Sequence, residues 1–260
     1  MKIAISGKGG VGKTTIMALL ARQAQKSGRK VLVIDADPSP HMAQTLGIDN
    51  IAAITPIADM KKMLTDRSGK VEGSPFYNIN PQVDDLPTKF MLEKEGIKLM
   101  VLGAIQTAEG GCACPENTVL KRLLTKLMLS PSETVLLDME AGVEHLGRGT
   151  IAKADALLIV VIPSQSSVRT AEKIHKLAIE SGIAKIYYVG NLVVDKNDEI
   201  FLTESLGAAP LAFFPNSAGI RKAERAGSLI TEADGSMNTI AMSLMQKLTA
   251  LLSGQKNEHI

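Results

Sequence analysis

Apolar residues run along this chain in two rhythms. Short blocks recur, two of them carrying one lysine each: Ile3-Ala4-Ile5, Val31-Leu32-Val33-Ile34, Ile97 to Leu102 (with Lys98), Val135-Leu136-Leu137, Ala156 to Ile162, Lys185 to Val189 (opening on Lys185) and Ala212-Phe213-Phe214. Between them, apolar positions return every three or four residues. Val119, Leu120, Leu123, Leu124 and Leu127 form one such stripe, and Ile240, Ala241, Leu244, Met245, Leu248, Leu251 and Leu252 another. The first rhythm predicts strands buried on both faces, the second predicts helices. A helix is also expected from Thr15, over Pro56–Asp66, from Ser166, and over Ile220–Gly227 with the glycine as its stop. Alternation of the two rhythms predicts an α/β fold: a doubly wound, mostly parallel sheet flanked by helices, in one domain spanning residues 1–260.

One stretch breaks the pattern. Residues 67–96 are punctuated by Ser68-Gly69-Lys70, Gly73-Ser74-Pro75 and Asn80-Pro81. They are expected to form a mobile or partner-facing segment, not a separate domain. The last helix has a single lysine, Lys247, among its apolar positions. A membrane-surface helix needs a basic face, so this helix is expected to pack on the sheet.

Composition narrows the partners. The 260 residues suffice for one large, well-buried domain. Net charge is +2, aromatic residues are 3% and tryptophan is absent, so neither bulk charge nor base stacking argues for nucleic acid. No apolar run approaches the roughly 20 residues needed to span a bilayer, so no membrane partner is expected. The chain opens directly on its first strand, which predicts no signal peptide and a cytoplasmic protein.

The chemistry begins at Gly7-Lys8-Gly9-Gly10-Val11-Gly12-Lys13-Thr14-Thr15. A glycine, four free positions and Gly-Lys-Thr form a phosphate-binding loop, here between a strand and a helix as the chemistry requires. Glycines let backbone N–H groups close around phosphate oxygens, and the helix N-terminus adds free donors and its positive dipole end. Gly9, Gly10, Val11, Gly12, Lys13, Thr14 and Thr15 are therefore candidate ATP/ADP-binding residues. Lys13 reaches the β- and γ-phosphates, and the Thr14 hydroxyl is a candidate Mg²⁺ ligand. A second strand runs into Asp35 and Asp37, and the strand before Asp138 also ends in acid. Parallel sheets bind ligands at the carboxyl ends of their strands, so these carboxylates share the edge of the phosphate loop. Asp138 is placed to hold Mg²⁺ through water, and Asp37 is a suitable acceptor for a water proton.

Lys8, one position after the first glycine, makes the loop similar to those of the deviant phosphate-loop ATPases: the nitrogenase iron protein, the Min and Par ATPases, and the arsenite and tail-anchored-protein ATPases. That resemblance implies that Lys8 crosses a homodimer interface to the partner's nucleotide, where a second cation neutralises charge on the transferred phosphoryl group. It implies that Asp37 orients the attacking water in switch I. It also implies that Asn191, after the Lys185–Val189 strand, recognises adenine, and that Phe214 and Pro215 belong to a second adenine-contact loop. Lys8, Lys13, Asp37 and Asp138 are the candidate catalytic set.

Cys112 and Cys114 are the chain's two cysteines, in a Gly-rich turn just before the Val119–Leu127 stripe. A helix N-terminus favours thiolate, the metal-binding form. Two ligands fall short of the four of a tetrahedral site, but a two-fold dimer supplies the patch twice. Four thiolates suit zinc, nickel or an iron–sulfur cluster. The nitrogenase iron protein takes further cysteines from the segment after its Walker B aspartate. Here that segment is Met139-Glu140-Ala141-Gly142-Val143, without cysteine. Cys-x-Cys at the first place with none at the second resembles the nickel-insertion ATPases of carbon monoxide dehydrogenase maturation. The resemblance implies an ATP-hydrolysing homodimer that binds Ni²⁺ or Zn²⁺ between subunits and delivers nickel to an apo-enzyme. Two other readings stay open: a Min/Par-type positioning switch, and an iron–sulfur carrier or electron donor.

Overall fold

The computed structural model of the protein describes residues 1–37, 41–71, 76–104, 115–129, 133–140 and 151–253. Eight strands form one sheet: β1 (Lys2–Gly7), β2 (Val31–Ala36), β3 (Leu92–Lys94), β4 (Ile97–Val101), β5 (Thr134–Met139), β6 (Ala156–Val161), β7 (Ile186–Val193) and β8 (Phe213–Pro215). Their spatial order is β3-β4-β2-β5-β1-β6-β7-β8, and every pairing is parallel except β3 with β4. The doubly wound sheet expected from the apolar blocks is present.

Burial on both faces explains why these strands read as apolar runs. Leu32, Ile34, Leu137 and Leu157 face one core, with the helix Pro115–Met128 over it. Ile3, Ile5, Val33 and Leu136 face the other, beneath the helices Lys13–Lys26 and Gly235–Ser253, which pack together. The buried stripe of the last helix is Met237, Ala241, Leu244, Met245 and Leu248, while Leu251 is exposed. Among the described residues no helix is long and apolar enough to cross a membrane.

Two local expectations change. The helix expected over Pro56–Asp66 is a 3-10 turn, Ile57–Asp59, followed by a helix over Lys61–Ser68. The Ala58 N–H donates to the Leu102 carbonyl at 2.9 Å, a tie to the end of β4 that takes it out of a helical ladder. The segment 67–96 also holds more order than its turn residues suggested. It contains a helix, Leu86–Phe90, and the antiparallel edge strand β3, joined to β4 by Glu95 (φ 50°) and Gly96 (φ 78°). Two consecutive left-handed residues make a tight hairpin whose twist matches the strands. β3 is short and carries Glu93 and Lys94, which protects a sheet edge from pairing with other chains.

Candidate functional site

Strand register builds the site. Asp138 on β5 lies opposite both Ile5 of β1 and Asp35 of β2, at the carboxyl edge where β1 passes into the phosphate loop. The loop turns through left-handed residues at Gly10 (φ 78°) and Gly12 (φ 87°). A Cβ on Gly12 would lie 2.3 Å from the Asn191 amide nitrogen, so this position must be glycine. The helix starts at Lys13, with the Ile16 N–H bonded back to the Gly12 carbonyl. The N–H groups of Lys13, Thr14 and Thr15 precede that first helical bond and are the donors a phosphate needs.

Lys13 is 6% exposed, and its ammonium donates to the Lys8 carbonyl at 3.4 Å. The Thr14 hydroxyl donates to Asp138 Oδ2 at 2.7 Å, whereas the buried Asp138 Oδ1 has no hydrogen-bond partner among the described residues. Burial pushes the Asp138 carboxyl up to about 7, reinforced by the Asp35 charge and opposed by the Thr14 bond. Burial likewise raises Asp35 to about 6, opposed by backbone N–H bonds from Met42 (3.0 Å) and Asp37 (3.2 Å). A hydroxyl, a carboxylate oxygen without a partner among the described residues and a second buried carboxyl whose negative charge crowds the first suit a divalent cation bound with its waters.

These elevated carboxyls fix a pH dependence. Between about pH 4 and 7 the folded chain binds more protons here than the unfolded chain does. The associated stability is complete below the unfolded value and is lost as pH rises through about 7. The melting temperature of the Mg²⁺-free wild type, relative to Asp138→Asn, should therefore fall between pH 5 and 7.5. Calorimetry across that range checks it, and parallel profiles for the two proteins would contradict it.

A cavity of about 570 Å³ opens over the loop. Gly9, Gly10, Thr14 and Thr15 line one side, with Asp37, His41 and Glu140 on its walls. Asp37 is half-buried at the end of β2. Lys8 is exposed and is not among the lining residues; its ammonium donates to Ser166 Oγ at 2.9 Å. Glu224, from the helix Ala218–Ala226, lines the cavity and accepts from the Thr15 hydroxyl at 3.4 Å. No motif marks Glu224 in the sequence, because it is one carboxylate in a short charged helix.

Asn191 lies inside β7, not in a turn, and is 3% exposed. Its amide donates to the Val11 carbonyl at 2.7 Å, while its Oδ1 is buried without a hydrogen-bond partner among the described residues. The next residue, Leu192, has φ 56° at an irregularity in the β7–β8 pairing. A non-glycine residue there is strained, so surrounding structure holds this bend. Asn191 therefore braces the phosphate loop from below. Asn191→Ala should weaken ADP binding about tenfold, the scale of one buried amide bond. Calorimetric titration with ADP and GDP checks it: a brace costs both nucleotides alike, whereas an adenine reader costs ADP alone.

One expected contact is corrected. Phe214 is 0% exposed and packs in the core with Val189, so its ring offers no face to a base. The β8 pleat turns it inward and leaves Phe213 and Pro215 half-buried. Cys112, Cys114 and Gly142 lie outside the described residues. The helix that follows the cysteines begins at Pro115, where a proline is tolerated at the first helical position. Among the described residues no group of three or more His, Cys, Asp or Glu could hold a metal ion.

The profile of the CobQ/CobB/MinD/ParA nucleotide binding domain matches residues 2–211. The carbon monoxide dehydrogenase accessory protein CooC of Rhodospirillum rubrum is 38% identical over 253 residues, covering 95% of this chain and 96% of that protein. An uncharacterized ATP-binding protein of Methanocaldococcus jannaschii is 40% identical over 235 residues, covering 88% and 91%. Among solved structures, the septum site-determining protein MinD of Pyrococcus horikoshii, complexed with Mg-ADP, superposes with a TM-score of 0.67 at 18% identity, covering 98% of this chain and 99% of that one. A ParA family ATPase of Chlorobium tepidum superposes at 0.69 with 17% identity, covering 95% and 98%.

Proposed function

Since the chain belongs to the CobQ/CobB/MinD/ParA nucleotide-binding family and is an ATPase, we propose that it works as a nucleotide-dependent homodimer that binds nickel at Cys112 and Cys114 and delivers it to an apo carbon monoxide dehydrogenase. The observation that carries this reading is the 38% identity to CooC along 95% of the chain. The Cys112-Ala113-Cys114 motif supports it, since a protein that only positions partners needs no paired thiols.

Hydrolysis is an in-line attack of water on the γ-phosphate. The loop N–H groups and Lys13 hold the phosphates, and Lys13 faces the charge that spreads over the transferred group. Thr14 and Asp138 would hold Mg²⁺, which neutralises phosphate charge when bound. Asp37, on the cavity wall, orients the attacking water and accepts its proton. Asn191 keeps Val11 and Gly12 in place, and its free Oδ1 remains a candidate acceptor for the adenine amino group. Pro215 remains a candidate base contact. Lys8 rests on Ser166 of its own chain. In the dimer it leaves that serine for the partner's phosphates and lends a second cation to the reaction. ATP thus draws two copies together, and hydrolysis releases them, changing the geometry of the four-thiolate metal site.

Lys8→Ala should leave ADP affinity within about twofold, because this side chain is absent from its own cavity. It should lower turnover about a hundredfold, as loss of a transition-state cation does. Nucleotide titration and phosphate release check the two arms. The delivery function itself is tested by activating nickel-free carbon monoxide dehydrogenase with this protein, Ni²⁺ and ATP. CO oxidation should rise with ATP and not with ADP. Equal activation by nickel alone at the same free concentration would remove the role.

A further inference from the structure

A second cavity, of about 610 Å³, opens at the amino ends of the strands, on the sheet edge opposite the phosphate loop. Its lining includes Leu32 at the start of β2, Lys98 at the start of β4, and Glu133 just before β5. Leu127, at the end of the helix Pro115–Met128, and Leu129 beyond it add apolar surface. Val83, Pro87 and Met91 form the facing wall.

That wall is held in place. Arg67 donates to both carboxylate oxygens of Asp85, at 2.6 and 2.5 Å, and to the Gln82 carbonyl at 2.9 Å. The Arg67 hydrogen bonds, followed by that of Lys89, keep the Asp85 carboxyl well below the usual carboxylate range. The cavity is thus a built feature, with a volume typical of small-ligand sites.

Its charges do not balance. Lys98, Arg122 and Lys126 line it together with Asp84 and Glu133, three cations against two carboxylates. Lys98 pairs with Glu133 at 2.9 Å, and Lys126 pairs with Asp84. Among the described residues no carboxylate pairs with Arg122. The exposed Arg122 guanidinium therefore lines the cavity without a carboxylate partner among the described residues. Leu129, on the rim, is 51% exposed.

We propose that this cavity binds a small amphipathic monocarboxylate, its apolar body against Pro87, Met91 and Leu129 and its carboxylate on Arg122. Guanidinium recognises carboxylate through two parallel N–H bonds, which fixes the orientation of the ligand as well as its charge. The site is separate from the nucleotide cavity, with no lining residue in common, so the two ligands do not compete.

Octanoate is the probe. Methyl NMR of the full chain should show saturable shifts at Met91 and Leu129 with one octanoate per chain. Arg122→Glu should weaken binding at least about tenfold, and octanol should bind the wild type at least about tenfold more weakly than octanoate. Saturating Mg-ADP should leave octanoate affinity unchanged. Because Arg122 is exposed, its replacement should not disturb the remaining methyl spectrum. The proposal is overturned if no saturable shifts appear, if Arg122→Glu binds octanoate as tightly as wild type, or if ADP displaces it.

Discussion

Lys13→Ala should reduce steady-state ATP turnover about a thousandfold while leaving a folded protein. Lys13 is 6% exposed at the base of the nucleotide cavity, and its ammonium donates to the Lys8 carbonyl. The interaction with a transferring phosphoryl group is stronger in the transition state than in the ground state, so its loss appears chiefly in kcat. Lys13→Arg should not restore the rate, because a planar fork cannot replace a compact ammonium in a buried position. Phosphate release measures the effect, with thermal unfolding as the control for folding. Retention of a tenth of wild-type turnover would remove Lys13 from the reaction.

The second large effect belongs to the thiols. Replacing Cys112 and Cys114 together by serine should weaken Ni²⁺ and Zn²⁺ binding at least about a thousandfold, because hydroxyls do not replace thiolates as ligands for these ions. The same variant should bind Mg-ADP within about twofold of wild type, since the phosphate loop belongs to another part of the chain. Competition with a chromophoric chelator reads the first quantity and calorimetry the second. Metal affinity unchanged in the double variant would move the cargo site elsewhere. A large loss of ADP affinity would show that the substitutions disturb the fold and not the metal site alone.

Much of the site was legible because it is local. Gly7 through Thr15 fixes the loop, and Asp35, Asp37 and Asp138 announce themselves as acids at the ends of apolar strands. Their convergence then follows from topology, since β2, β5 and β1 are neighbours in a parallel sheet. What escaped the sequence is set by contacts between distant residues. No local pattern shows that Asn191 reaches the Val11 carbonyl, 180 positions away, or that Lys8 rests on Ser166. Phe213 and Phe214 are equally apolar on paper, and only the register of β8 decides which one enters the core. The edge hairpin of β3 and β4 was missed because three residues, two of them charged, carry too little hydrophobic signal to stand out as a strand.

Anaerobic titration of the wild-type protein with Ni²⁺, without nucleotide and with ADP or ATP, decides whether a nucleotide-driven dimer carries nickel between paired thiols. Thiolate-to-metal absorption and oligomeric state are followed together. One nickel per two chains, with an affinity that differs between the ADP and ATP forms, is the expected result. Binding of one nickel per monomer, an affinity indifferent to nucleotide, or no thiolate absorption in any state would contradict it.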